Sequence, residues 1–429
     1  MYHQTRQISF LHLWWRRQSF FIRHLSCKWI LLILICLIFS IAYIPNPFAS
    51  EYSSIRIVQN VEWNSIKELL ETKERLNKDD TLSKQVKFIQ HGTILPQPTK
   101  PMLILLYTTV FLNRKYCTFT IERIFGETCP SKDLCQWSCD RRQLSEADAI
   151  VFHAPDIQYF QAQVPERSQT KRDSIWILWS DEPPTLVDYS YFNSYEFNWT
   201  ISYKLTSEIS IGSYGLFTKR RRPLSNNEYN QWIYREFTRR VNGALWFVSN
   251  CKSQPRLDYY YTLRREDNFI VDGYGRCVDY YPVHLCTANT RCELNYMLKY
   301  KYYLSFESTK CRDYITEKFY KAFYHGLIPI VYGPSRKDYE NLAPTNSFIH
   351  IDEFEGDMHR LTEYLHLIHS NRSLYSMYHQ WRKNYEVIID GKALERIRMC
   401  ELCERLNRLH HNEIIYYKDL EKFYREKCD

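Results

Sequence analysis

Asp181 and Glu182 stand side by side at the end of an apolar run, Ile175 to Ser180 (IWILWS), and are followed by Pro183 and Pro184. A carboxylate held on a loop at the end of a buried strand can take a proton from a hydroxyl, because partial burial raises its pKa toward the working pH. Proline restricts the residue before it to extended backbone, so Glu182 points in a fixed direction and Asp181 projects to the opposite side. The same two carboxylates would also serve simply to solvate a loop. A second kind of chemistry attaches to Lys318. It falls in the first turn of a segment in which Ile315, Phe319, Ala322 and Phe323 recur at helical spacing. Free N–H groups and the dipole at a helix N-terminus attract anions, phosphates above all.

The elements that must position these residues are legible around them. Tyr302 to Phe306 reads as a short strand, the 315–323 segment as a helix stopped at Gly326, and Leu327 to Tyr332, bounded by Gly333 and Pro334, as a buried strand. This strand–helix–strand unit places the first helical turn at the carboxyl edge of a sheet. Further strands are expected at Met102 to Val110, Ala149 to His153, Ile175 to Ser180, Ala244 to Cys251 and Phe269 to Tyr274. A helix carrying Arg256, Tyr260 and Leu263 separates the last two. The reading is an α/β chain in two halves.

With 429 residues the chain is long for one core. Residues 1–28 carry five basic residues and no acidic one, and Trp29 to Ile44 is almost wholly apolar. This predicts a cytosolic tail (1–28), a transmembrane anchor (29–47) with the body on the far side of the membrane, and a charged, breaker-rich stem (48–100). Two domains follow, 101–243 and 244–429. Net charge is +8, but the tail supplies five of those positives, so the body is only mildly basic and is not read as a nucleic-acid binder. Twelve cysteines lie beyond the anchor, an even number that argues for disulfides in an oxidising compartment. Asn198-Trp199-Thr200 and Asn371-Arg372-Ser373 are N-glycosylation sequons.

The run YLSFES…DYITEKFYKAFYHGLIPIVYGPSRKDYENLAPTNSFIHIDEF closely resembles the donor-binding signature of the α1,3-fucosyltransferases of glycosyltransferase family 10. FNWTISYKLTSEI (197–209) resembles the family's FNWT-x-SYR-x-DSD element, and VSNC…R…Y…L…VDGYGRC resembles its VSNC block. Cys400 and Cys403 resemble its closing cysteines. Some positions depart: Lys204 replaces Arg, Thr206 and Glu208 replace Asp, and Ser308 replaces Asn in Phe-Glu-Asn. Lys204 keeps the charge but loses the planar fork of donors.

The resemblance implies a GT-B type fold, two Rossmann-like domains facing a cleft, with acceptor binding in the first and GDP-fucose binding in the second. It implies Glu182 as general base, with Asp181 as fallback, and Arg256, Tyr314, Glu317, Lys318, Tyr203 and Lys204 as donor-binding residues. No two Asp residues stand two apart, so the D-x-D pair by which many glycosyltransferases hold Mn²⁺ is absent and no metal cofactor is expected. The implied activity is inverting transfer of L-fucose from GDP-β-L-fucose to O3 of a GlcNAc on a glycan, by a single-pass type II Golgi membrane protein with a luminal catalytic body. The alternative is an inactive luminal relative that binds glycans.

Overall fold

The structure, a computed structural model, describes residues 84–88, 100–278, 286, 290–408 and 413–428. The expected tail and anchor, and the stem apart from 84–88 and Lys100, lie outside the described residues. Among the described residues no helix is long and apolar enough to cross a membrane.

Strand β1 (Lys84–Phe88) pairs antiparallel with β14 (Glu413–Tyr417) near the other end of the chain. Part of the expected stem thus supplies backbone partners to the C-terminal region. Two five-stranded sheets form the body. The first runs in the order β3 (Cys135–Ser138), β2 (Met102–Leu106), β4 (Ala149–His153), β5 (Ile175–Trp179), β6 (Trp199–Ile201), all parallel. The second runs β12 (Ile349–His350), β11 (Ile328–Tyr332), β10 (Tyr300–Phe306), β8 (Val241–Phe247), β9 (Ile270–Tyr274), again all parallel. Every residue of β4, β5, β10 and β11 is buried. This is why β4, β5 and β11 read as nearly continuous apolar runs and not as alternating ones, while β10 buries Lys301 and Ser305 as well: helices cover both faces of a parallel sheet.

The strand–helix–strand unit is present as β10, helix Glu317–Tyr324 and β11, with Gly326 beyond the helix at φ +79°, where a side chain is disfavoured. Pro329 sits inside β11 without cost. The Glu307 amide bonds the Tyr332 carbonyl, so even-numbered residues of β11 face β10 and Pro329 faces the other side, where β12 reaches only Ile330 and Val331.

The division at 243/244 needs two corrections. β8 begins at Val241, and the C-terminal segment returns to the first half. Helix Gly391–Asn407 buries Met399, Cys400, Leu402, Cys403 and Leu406 in the same cluster as β2, β4 and β5, fixed by disulfides Cys129–Cys400 and Cys135–Cys403. Helix Leu420–Arg425 buries Leu420, Phe423 and Tyr424 against the opposite face of that sheet. β7 (Leu216–Lys219) and β13 (Tyr385–Ile388) form an antiparallel ribbon at the two crossings, and Phe217, Trp381 and Val387 pack on Phe319, Tyr320 and Phe323 of the 317–324 helix.

Candidate active site

Each sheet reverses its winding once, between β2 and β4 in the first and between β8 and β10 in the second. Crevices open at such switch points beyond the carboxyl ends of the strands. The structure has a cavity at each.

At the first sheet the cavity is about 410 Å³ and is lined by Phe111, His153, Trp179, Asp181, Glu182 and Arg398 among others. The two neighbouring carboxylates have different surroundings. Both oxygens of Asp181 are held by Arg398, at 2.6 Å from each terminal nitrogen, and Tyr214 donates to the Asp181 carbonyl at 2.5 Å. Glu182 is anchored through its backbone: its amide donates to Ser180 Oγ at 3.3 Å and its carbonyl accepts from the Tyr189 hydroxyl at 2.6 Å. Burial raises the Glu182 pKa above the usual carboxylate value, Asp181 and Glu317 add to the rise, and Lys318 opposes it. Glu317 and Lys318 belong to the second half, so the field on Glu182 comes from both halves.

Sequence reasoning passed over His153 and Asp156 beside this cavity. Their side chains are 2.5 Å apart, and Asp156 also accepts the amides of Phe111 and Leu112 at 2.6 and 3.0 Å. Phe111 and Leu112 have φ of 50° and 59°, which a side chain rarely adopts, so these bonds hold an unfavourable loop in place. Burial disfavours the charged form of Asp156, yet the bonds from His153, Thr109 and the amides bring its pKa down to about 2. A signal was present in the His-x-x-Asp spacing immediately after β4.

At the second sheet the cavity is about 440 Å³, lined by residues 247–250, 274–276, Glu293, Tyr303, Glu317, Lys318 and Lys321 among others. Lys318 Nζ lies 2.6 Å from Thr316 Oγ1, 3.3 Å from Glu307 and 3.4 Å from Glu317. Burial disfavours its charge, but Glu307 and Glu317 more than compensate and raise its pKa. Desolvation within the cavity raises the Glu317 pKa, but neighbouring groups, Lys318 chiefly, hold it below the usual value. Thr316 directs its hydroxyl to the buried Glu307 and does not cap the helix, leaving the first-turn amides uncapped by its side chain. Gly275 is obligatory in this wall, with φ +113° and a hypothetical Cβ 2.1 Å from the Val248 carbonyl oxygen.

The remaining expected donor residues are in the interior. Tyr203 and Tyr314 are buried edge-to-face with ring centroids 5.1 Å apart. Arg256 is buried behind the cavity wall and donates to the carbonyls of Phe306, at 3.1 Å, and Asn250. Lys204 is fully buried, 3.6 Å from Glu426. The structure thus places Glu182 in the first cavity and Glu317 and Lys318 in the second, within electrostatic reach of Glu182, and buries Arg256 and Lys204 in the interior.

Of the two sequons, Asn371 is exposed at the start of helix Arg372–Met377. Asn198 is 2% exposed and its side-chain oxygen accepts from Arg167 at 2.9 Å and the Trp176 amide at 2.8 Å. The folded chain has no room for a glycan there, which corrects the expectation for Asn198. The twelve cysteines beyond the expected anchor are all paired: 117–139, 129–400, 135–403, 251–277, 286–292 and 311–428.

Two family models match the sequence: "Glycosyltransferase family 10 (fucosyltransferase) C-term" over residues 237–423 and "Fucosyltransferase, N-terminal" over residues 99–215. Among curated proteins, the chain is 32% identical to alpha-(1,3)-fucosyltransferase 7 of Bos taurus, covering 78% of this chain and 88% of that protein. It is 30% identical to alpha-(1,3)-fucosyltransferase fut-6 of Caenorhabditis elegans, covering 73% and 77%. It is also 30% identical to 4-galactosyl-N-acetylglucosaminide 3-alpha-L-fucosyltransferase 9 of Mus musculus, covering 68% and 74%. The two matched regions contain both sheets and every expected catalytic and donor residue, and the chain belongs to glycosyltransferase family 10, the fucosyltransferases.

Proposed function

We propose that the protein transfers L-fucose from GDP-β-L-fucose, with inversion, to O3 of a GlcNAc residue on a glycoprotein or glycolipid glycan. One observation carries the reading. Of two adjacent carboxylates at the end of β5, Asp181 is committed to Arg398, whereas Glu182 is directed by its backbone and feels the charges of Glu317 and Lys318. The pKa of Glu182 is raised, as a base acting near neutral pH requires.

In this reading Glu182 removes the proton from the GlcNAc hydroxyl while that oxygen attacks the anomeric carbon of fucose. The bond to GDP breaks on the opposite face, so a β-linked donor gives an α-linked product. Lys318 and the uncapped N-terminus of helix Glu317–Tyr324 receive the charge that develops on the diphosphate. Arg256 adds positive potential from behind the wall. Glu317, exposed beside the cavity, is placed to accept from ribose hydroxyls, with Tyr314 and Tyr203 as the packed floor between the halves and Lys204 supporting them from the interior. Cationic groups take the role of a metal, so the reaction proceeds without one.

The names of the relatives support the bond formed: each is an α1,3- or 3-α-fucosyltransferase. Six disulfides suit an oxidising lumen, and the charge pattern of residues 1–47 suits a type II Golgi anchor. Incubation with GDP-fucose and an array of GlcNAc-containing glycans, followed by NMR of the product, tests the reading. An α1,3 linkage on GlcNAc is expected; GDP release with no transfer to any GlcNAc acceptor would overturn it.

A further inference from the structure

Behind Glu182 lies a chain of contacts that ends at the C-terminus. The Tyr189 hydroxyl donates to the Glu182 carbonyl at 2.6 Å and lies 2.7 Å from Ser180 Oγ, the same atom that accepts the Glu182 amide. Tyr189 is fully buried, and its ring stacks on Tyr424 with centroids 3.5 Å apart and planes within 5° of parallel. Its amide donates to Glu421 at 3.1 Å, and Asn193 accepts the Leu420 amide at 2.7 Å. The helix Leu420–Arg425 therefore seats directly on the segment after the Glu182 loop.

The residues that follow this helix are tied to the second half. Cys428 is bonded to Cys311, three residues before Tyr314, and Glu426 sits 2.7 Å from Arg312 and 3.6 Å from the buried Lys204. The segment 420–428 thus touches the backbone carrier of Glu182 on one side and, on the other, the loop that leads into the Lys318 helix.

We propose that this C-terminal segment is a positioning element for the reaction: stacked Tyr424 and the Tyr189 hydroxyl fix the peptide that aims the Glu182 carboxylate, while Cys428 and Glu426 register it against the donor loop. The inference rests on the reading of Glu182 as the base. Tyr189 and Tyr424 touch no reacting atom and act through Glu182 alone. Errors of about 1 Å in such placement cost up to ~10²-fold in rate.

Tyr189→Phe removes one oxygen and keeps the stack. It should lower kcat about ten- to a hundredfold, leave KM for GDP-fucose unchanged, lower the melting temperature only modestly, as the loss of one buried hydrogen-bond donor does, and move the acid limb of the kcat profile to lower pH, because a less confined carboxylate is better solvated. Tyr424→Ala should show the same loss of kcat at unchanged KM, now with a clear fall in melting temperature from the cavity it leaves, and Tyr424→Phe should restore what Tyr424→Ala loses. The proposal is overturned if Tyr189→Phe keeps the wild-type kcat, or if its activity falls only in proportion to the folded fraction with the acid limb unmoved. Should Tyr424→Ala fold poorly, Tyr189→Phe decides alone. An active Glu182→Gln enzyme would remove the underlying assignment of the base; an inactive Glu182→Gln beside a fully active Tyr189→Phe would remove only this inference.

Discussion

Arg398 grips both oxygens of Asp181 at 2.6 Å across 217 residues of sequence, with the guanidinium only 5% exposed. A pair this enclosed is a structural commitment, because losing one partner strands a charge in the interior at a cost of about 3–5 kcal/mol. Asp181→Asn should therefore lower the melting temperature clearly while molecules that remain folded keep most of their kcat. Thermal unfolding beside active-site titration separates the two effects.

Arg398 reaches Asp181 because helix Gly391–Asn407 is pinned to the first half by Cys129–Cys400 and Cys135–Cys403, which span 271 and 268 residues. Chain-entropy reasoning gives one bridge across a loop of that size about 5–6 kcal/mol, and the second bridge, which then closes only a short loop, about 2–3 kcal/mol. Cys400→Ser leaves Cys135–Cys403 in place and so opens a loop of only roughly ten residues; it is expected to destabilise the first half by about 2–3 kcal/mol and to weaken the Arg398–Asp181 grip. Hydrogen exchange should show faster opening of 391–407 than of β10 and β11.

Lys318 lines the proposed diphosphate cavity with Arg276 and Lys321, and one charge-assisted contact is worth ~1.5–3 kcal/mol. Lys318→Ala should weaken GDP affinity by about ten- to a hundredfold on that basis. It should also reduce stability, because the buried Glu307 loses a positive neighbour. EDTA should leave wild-type activity intact. Activity lost in EDTA and restored by Mn²⁺ would refute the metal-free account.

The pH dependence follows from the field on Glu182. Glu182 must be ionised to act, so kcat should fall as pH drops through its raised pKa, above the ordinary carboxylate value. Glu317→Gln removes a negative neighbour and should move that limb to lower pH; Lys318→Ala should move it higher. Measured limbs that shift in the opposite senses would contradict the placement of these residues across the cleft.

Much of the fold was legible because β2, β4, β5 and β11 are buried throughout and read as nearly continuous apolar runs; β8, β9 and β10 also fall within or beside the expected segments. The positions of Glu182 and Lys318 were legible for a different reason: they stand at strand and helix ends, where local pattern fixes position, while the roles proposed for them came from the family resemblance. What escaped were relationships between distant parts of the chain. Nothing local to Arg398 shows that it meets Asp181, nothing near Tyr424 shows that it stacks on Tyr189, and a stem reading of 48–100 gave no hint that 84–88 pairs with 413–417. Asn198 misled because a sequon records three residue types and not their burial.

Glu182→Gln measured at saturating donor and acceptor tests the central claim most directly. A base acts only as the new bond forms, so kcat should fall ~10²–10⁴-fold while GDP affinity holds. A carboxyl whose pKa is raised by folding stabilises the protein below its unfolded value of ~4.3, and that contribution is lost as pH rises through the folded value. The charged Glu182 therefore costs stability at neutral pH, and Glu182→Gln should melt no lower, or slightly higher, than the wild type. Near-wild-type kcat in Glu182→Gln beside an inactive but folded Asp181→Asn would show that the base is Asp181 and that the account is wrong at its centre.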